Sequence, residues 1–325
     1  MKCAAIAGTG SYVPESKMTN EDMALLVETS DEWIASRTGI RERRISDGEN
    51  TSDLAYEAAK RALQNAGMDA GEIDLIICAT ITPDSFMPSV ACMVQERLGA
   101  SKAAAFDLAA ACSGLIYAMA CASSFIGAGM YQNVLVIGAE TLSKTLDWTD
   151  RSTCVLFGDG AGAVVLRASD GSGGLSCFHL LSDGSRQDYL TLPALPLKRM
   201  GQEQGSGGPQ VISMKGQEVF KFAVRSITEH IRTVLHQAGL SEEEIKYIVT
   251  HQANCRIIEQ AAKSSRIPAA KFYMNLDRYG NTSAASIGIA LDEMAREGML
   301  ESGDKVILVG FGGGMTSGAV LVEWR

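Results

Sequence analysis

Two kinds of apolar pattern alternate along the chain. The runs 74–79, 133–138 and 305–310 are nearly continuous in apolar residues, as expected of strands buried on both faces. Between them lie stripes at helical spacing. Leu54, Ala58, Ala62 and Leu63 predict a helix over 53–66, with Gly67 suited to close it. Val219, Ala223, Ile227, Ile231 and Val234 predict a second over 219–238. The run 103–119, AAAFDLAAACSGLIYAM, carries Asp107 as its single charge. A helix starting near Cys112 and running towards Gly127 would be apolar all round, and therefore buried.

These patterns occur twice. Residues 66–77, AGMDAGEIDLII, match 238–249, AGLSEEEIKYIV, at an offset of 172, and Val134–Gly138 aligns with Val306–Gly310 at the same offset. FGDGAGAVVL (157–166) parallels FGGGMTSGAVLV (311–322) after an insertion in the first half. Three matches in one order argue for a duplicated unit. Each unit reads as helix, strand, helix, strand, glycine-rich turn and strand. The expected fold class is α/β, with two halves, 1–170 and 171–325, packed as alternating helix and sheet layers. Residues 184–211 between them are rich in Gly and Pro without periodicity, and we expect a loop that shapes the approach to the active site.

Composition narrows the class. At 325 residues, 46% apolar and 21% charged, the chain reads as a globular enzyme. A net charge of −9 opposes a nucleic-acid partner. No run reaches the length of a membrane span, and the start MKCAAIAGTG meets glycine too soon for a secretory segment. The eight cysteines include no Cys-x-x-Cys pair, so reduced thiols and a cytoplasmic location are expected.

Three residues then stand out. Cys112, at the start of the apolar helix, would meet unpaired N–H groups and the positive end of the helix dipole, which favour thiolate. The plain alternative is a small buried hydrophobe. His251 follows the apolar strand Ile245–Thr250, at the end where α/β sheets place ligands. His230 and His236 fall on an amphipathic helix and suit packing or surface roles, while His179 has no motif around it. Asn281 precedes an apolar helix expected over 283–296, and helix capping would also explain it. At the 172 offset Cys112 faces Ala284, so the Asn281 loop is the counterpart of the cysteine's own turn. The glycine-dense Gly158–Gly162 leads into a strand-like run, Ala163–Arg167, whereas a dinucleotide loop should open a helix.

Thr29–Ile34 (TSDEWI), Ala109–Gly114 (AAACSG), His251–Asn254 (HQAN), Tyr279–Ser286 (YGNTSAAS) and Phe311–Gly314 (FGGG) occur in order across the chain. Together they resemble the β-ketoacyl-acyl-carrier-protein synthase III branch of the thiolase-like condensing enzymes. The resemblance implies a thiolase-like αβαβα fold, a Cys112–His251–Asn281 triad, and an oxyanion hole of Cys112 and Gly313 backbone N–H groups. It implies an acyl-CoA primer, acetyl-CoA or another short acyl-CoA, condensed with malonyl-acyl-carrier protein by way of an acyl-Cys112 intermediate, initiating fatty acid biosynthesis. Neither a metal nor a redox cofactor is implied. Trp33, Arg37 and Arg151 match the family's CoA positions, and Trp33 as an ordinary packing aromatic is the alternative. Lys221, Arg256 and Lys263 match its carrier-protein patch, with Arg225 or Lys215 as extensions; a solvated helix face is the alternative. Met87 stands where relatives carry an aromatic that closes the partner's acyl pocket, and a homodimer is implied. A specialised enzyme with another acyl donor or acceptor and a catalytically silent docking scaffold are the competing functions. The intact Cys112, His251 and Asn281 speak against the scaffold.

Overall fold

A computed structural model describes residues 2–171, 173–195 and 210–325. Residues 196–209, the middle of the expected active-site loop, lie outside the described residues.

Two five-stranded sheets carry the fold. In the first, the strands run Cys3–Tyr12, Gly160–Ser169, Asn133–Glu140, Leu75–Ala79, Ala104–Leu108. In the second they run Gly174–Leu181, Thr316–Glu323, Lys305–Gly312, Tyr247–Thr250, Phe272–Tyr273. Strand order and direction are the same in both. In each, a central strand lies parallel to two neighbours, and two antiparallel strands complete the sheet.

Alternation along the strands produces the layers. Leu75, Ile77 and Ala79 face an inner core, where the helices Gly114–Gly127 and Ser286–Arg296 lie between the sheets. Ile76 and Cys78 face outward, onto the helices Thr51–Ala66 and Val90–Leu98. Ile307 and Val309 of the second sheet face the helices Gly216–Ala238 and Cys255–Ser265 in the same way. With both faces covered, a strand reads as a continuous apolar run.

Each half contains more than the sequence pattern predicts. A helix and an edge strand, Val90–Leu98 with Ala104–Leu108, precede the Cys112 helix, and Cys255–Ser265 with Phe272–Tyr273 precede the Asn281 helix. Both edge strands are short and partly exposed, so they lack the apolar run that marks the central strands. Asp107, the lone charge of its segment, accepts the Val90 and Ala91 N–H groups, each at 2.8 Å, at the start of the preceding helix. The expected helices form over Thr51–Ala66 and Gly216–Ala238, the first closed by Gly67 in the left-handed region (φ 59°).

Candidate active site

Cys112 sits in a one-turn 3-10 segment, Ala111–Ser113, that feeds the buried helix Gly114–Gly127. Ala111 takes a left-handed φ of 46°, which turns the thiol off the end of its strand. Cys112, His251 and Asn281 are all buried and line one cavity of about 150 Å³ with Phe311. A second cavity of about 630 Å³ opens on the other side of Cys112, between Ile81, Leu142, Phe157, Leu192 and Ile212, with Ser283 and Gly313 at its inner end. The described parts of the 184–211 segment, Leu190–Ala194 and Gln210, form part of its wall.

His251 follows the strand Tyr247–Thr250, where its N–H donates to Val309 O at 2.8 Å. Its Nδ1 bonds Ser286 Oγ at 2.7 Å, which leaves Nε2 for the cavity. Phe311 packs edge-on at 5.0 Å between ring centroids. Burial holds the imidazole neutral, lowering its pKa to about 3.

Asn281 is fixed at backbone and side chain. Its N–H donates to Leu156 O at 2.8 Å, and its carbonyl accepts from Gly158 N–H at 3.0 Å. Ser283 N–H donates to Asn281 Oδ1 at 2.9 Å, leaving the amide Nδ2 for the cavity. The capping alternative fails, because Asn281 caps no helix: the helix Ser286–Arg296 follows the 3-10 turn Ser283–Ala285. Beneath this loop the fully buried Arg43 donates to Val155 O at 2.8 Å, Asn20 Oδ1 at 2.9 Å and Met18 O at 3.1 Å. Among the described residues no carboxylate is ion-paired with it, and burial lowers the Arg43 pKa to about 10.

One expectation is reversed. The helix start does not make Cys112 a thiolate at rest: burial pushes the thiol up to about 12, more than Ser283 and the turn's own N–H pull it down. Desolvation of a sulfur anion outweighs the partial charge of a helix end.

The small cavity shares Gly216, Phe220 and Asn254 with an open depression that also takes in Arg37, Lys221 and Arg256. A basic mouth therefore leads towards the buried thiol. Trp33 stands half-buried nearby, with the Arg37 and Arg151 guanidinium groups 4.7 and 5.2 Å from its ring centroid. Asn254 Nδ2 donates to Arg37 O at 3.1 Å, tying the helix Asp31–Thr38 to the segment after His251. Lys221 is ion-paired with Glu218 at 2.7 Å, Lys215 pairs with Asp188, and Lys263 is exposed outside the depression. Met87 is not brought to Cys112: its side chain is 85% exposed, and its neighbour Phe86 lines the large cavity instead.

Comparison with known proteins gives the family. Residues 106–184 match the family model 3-oxoacyl-[acyl-carrier-protein] synthase III, and residues 235–324 match the model of its C-terminal part. The β-ketoacyl-[acyl-carrier-protein] synthase III of Clostridium acetobutylicum is 53% identical over 324 residues, covering 100% of this chain and 99% of the relative. The chain belongs to the 3-oxoacyl-[acyl-carrier-protein] synthase III family. It is a condensing acyltransferase with a thiolase-like fold. The crystal structure of the Aquifex aeolicus synthase III superposes with a TM-score of 0.92 at 48% identity, over 99% of this chain and 100% of that one. The Pseudomonas aeruginosa structure gives 0.93 at 41% identity, over 99% and 98%.

Ser283, Ser286, Glu140 and Arg43 support the site, and the sequence pattern marks none of them individually. The two serines lie inside the quoted YGNTSAAS block, which was the available signal. Glu140 and Arg43 are single polar residues in unremarked positions, and only their burial identifies them.

Proposed function

We propose that the chain condenses an acyl-CoA primer with malonyl-acyl-carrier protein, initiating fatty acid synthesis through an acyl-Cys112 intermediate. The observation that carries this reading is the convergence of Cys112, His251 and Asn281 on one small, mostly apolar cavity. Cys112 Sγ attacks the primer's thioester carbon, the bond from that carbon to the CoA sulfur breaks, the thiol proton passes to the departing CoA sulfur, and the acyl group remains on Cys112. Backbone N–H groups of Cys112 and Gly313 hold the oxyanion, a donor of this kind being worth about 3–4 kcal/mol. With Ser286 Oγ–H donating to Nδ1, His251 carries its ring proton on Nε2. That proton and Asn281 Nδ2–H then donate to the malonyl thioester oxygen as CO2 leaves. The resulting carbanion attacks the acyl carbon, and Cys112 thiolate is released. Two neutral donors suit an enolate in an apolar-lined cavity, where a carboxylate would repel it.

Trp33, Arg37 and Arg151 are our candidates for the CoA nucleotide, through ring stacking and phosphate pairing. Lys221, Arg256 and Lys263 are the candidates for an acidic carrier protein, with local positive charge acting against a net charge of −9. The large apolar cavity is proposed to take the primer's acyl chain. A homodimer is supported by the exposed Phe86, Met87 and Phe106, the last on the edge strand Ala104–Leu108. Met87 would then close the cavity of the second copy. We read the chain as two halves, 1–170 and 171–325, in keeping with the repeated strand order. Eight free thiols suit a reducing, cytoplasmic setting. Among the described residues, no helix is long and apolar enough to cross a membrane.

Incubation with acetyl-CoA followed by peptide mass spectrometry tests the reading. Acylation of the Cys112 peptide alone is expected. Label on another residue, or none from any short acyl-CoA, would reject it.

A further inference from the structure

Gln252, the residue after His251, is buried and has no part in the steps above. Both donors and the oxygen of its amide are used. Nε2 donates to Thr250 O at 2.8 Å and to Tyr273 O at 3.1 Å, and Oε1 accepts from Asn275 N–H at 3.0 Å. Asn275 Nδ2 donates in turn to Glu293 Oε2 at 2.7 Å, on the helix Ser286–Arg296. The peptide joining His251 to Gln252 is thereby held in place, and its N–H donates to Ser286 Oγ at 3.3 Å. Ser286, buried at the start of that helix, lies 2.7 Å from His251 Nδ1.

A hydroxyl has a single proton to give, and a peptide N–H can only donate. Ser286 Oγ therefore accepts from Gln252, and its own proton needs an acceptor. Among the described residues His251 Nδ1 is the one acceptor it meets. The opposite arrangement, Nδ1–H donating to the serine, would bring two bonds to Oγ and leave its proton without a buried partner. An unmade bond of this kind disfavours that tautomer by roughly tenfold. Phe311, edge-on at 5.0 Å, packs against the same ring. We propose that Ser286, directed by the Gln252 peptide N–H, is a positioning residue that locks His251 as an Nε2 donor and bars it from acting as the base for Cys112.

The lock divides the tasks within the site. Burial keeps the ring neutral, so one proton is at stake between its two nitrogens. A nitrogen that carries that proton gives a hydrogen bond and cannot take a proton from the thiol. His251 then serves the malonyl thioester oxygen, and the thiol proton is left to the departing CoA sulfur. Asn281 is set in the same way, since Ser283 N–H occupies its Oδ1 at 2.9 Å and leaves Nδ2 for the cavity. In each residue a serine takes up the accepting atom, so both present a donor to the space beside Cys112.

The lock rests on the proposed condensation, but its first readout needs no substrate, so failures of the two are distinguishable. The full chain is prepared with isotopically labelled histidine, and the ring nitrogens of His251, identified by their loss in His251→Asn, are read by NMR at neutral pH. The parent should show a protonated Nε2 and an Nδ1 displaced as a hydrogen-bond acceptor. In Ser286→Ala the tautomer ratio should move by about tenfold towards Nδ1–H. In the same preparation CO2 release from malonyl-acyl-carrier protein should slow by about fivefold, with acyl-Cys112 formation unchanged. A purely structural role would slow both half-reactions and leave the tautomer where it is. A parent spectrum with Nδ1–H, or with both nitrogens protonated, overturns the lock, as does a Ser286→Ala spectrum superimposable on the parent's. Should Ser286→Ala not fold, the parent spectrum decides, and an Nδ1 free of any hydrogen bond overturns the lock equally. Absence of acyl-Cys112 in the parent would instead reject the condensation and leave the tautomer result standing.

Discussion

The turn that carries Cys112 and the turn that follows Asn281 share a backbone and differ in chemistry. Ala111 and Ser283 are related by the 172 offset, and both take left-handed backbone, φ 46° and 47°. Each heads a one-turn 3-10 segment that leads into a buried helix between the sheets. Such a φ costs an alanine or serine on the order of 1–2 kcal/mol, so the duplicated fold carries the same strain twice. Each turn rests on a glycine of the nearby central strand. A Cβ on Gly138 would stand 2.2 Å from Ala284 O, and one on Gly312 would stand 2.6 Å from Cys112 N. Where the halves differ, the chemistry divides. Position 112 is cysteine and its counterpart 284 is alanine, while Glu140 stands where the second half has Gly312. In the proposed reaction one turn presents the nucleophile and the other the Asn281 amide, with Glu140 of the first half accepting from Ser283 of that second turn. Duplication supplies the geometry, and departures from symmetry supply the function.

Four substitutions would break or sharpen this comparison. The largest effect belongs to Cys112→Ala, which gives the first turn the methyl group that the second already has. Condensation measured from acyl-CoA should fall by about 10⁴-fold or more with the fold intact. Gly138→Ala and Gly312→Ala come next, since each new Cβ meets backbone that cannot step aside. Each should cost more than about 3 kcal/mol in urea unfolding, and Gly312→Ala should also depress acylation by moving the Cys112 N–H. The smallest effect separates the buried histidines. His230, bonded to Ser317 Oγ and His179 Nδ1, both at 2.9 Å, stays neutral down to about 4, while the unfolded chain protonates near the ordinary value of about 6.5. The unfolded state then binds more protons between these values, so the native chain loses stability as pH falls from about 6.5 towards 4. His230→Gln should flatten that slope by at most about 1.4 kcal/mol per pH unit, read from unfolding free energies at several pH values.

Much of this could be read from the sequence because the central strands are buried on both faces. Val134–Gly138 and Val306–Gly310 are legible as apolar runs, and their shared offset exposes the duplication. The same offset sets the Asn281 loop against Cys112, and the Tyr247–Thr250 strand end leads to His251. The edge strands Ala104–Leu108 and Phe272–Tyr273 stay hidden, being short and partly exposed. The thiol's charge state is not legible in the sequence, because a helix start is visible there, whereas the depth of burial opposing it is not. Glu140 and Arg43 depend wholly on tertiary surroundings: a carboxyl and a guanidinium with no local pattern become informative only once they are buried.

The central claim is that the two turns divide the reaction, with Cys112 taking the acyl group and Asn281 assisting loss of CO2. Asn281→Ala tests this by following the half-reactions separately in one preparation, acyl-enzyme by mass spectrometry and CO2 release from malonyl-acyl-carrier protein. The account predicts acyl-Cys112 forming within a few-fold of the parent rate and decarboxylation slowed by about 10²–10³-fold. Loss of acyl-enzyme formation to the same degree as decarboxylation would contradict it.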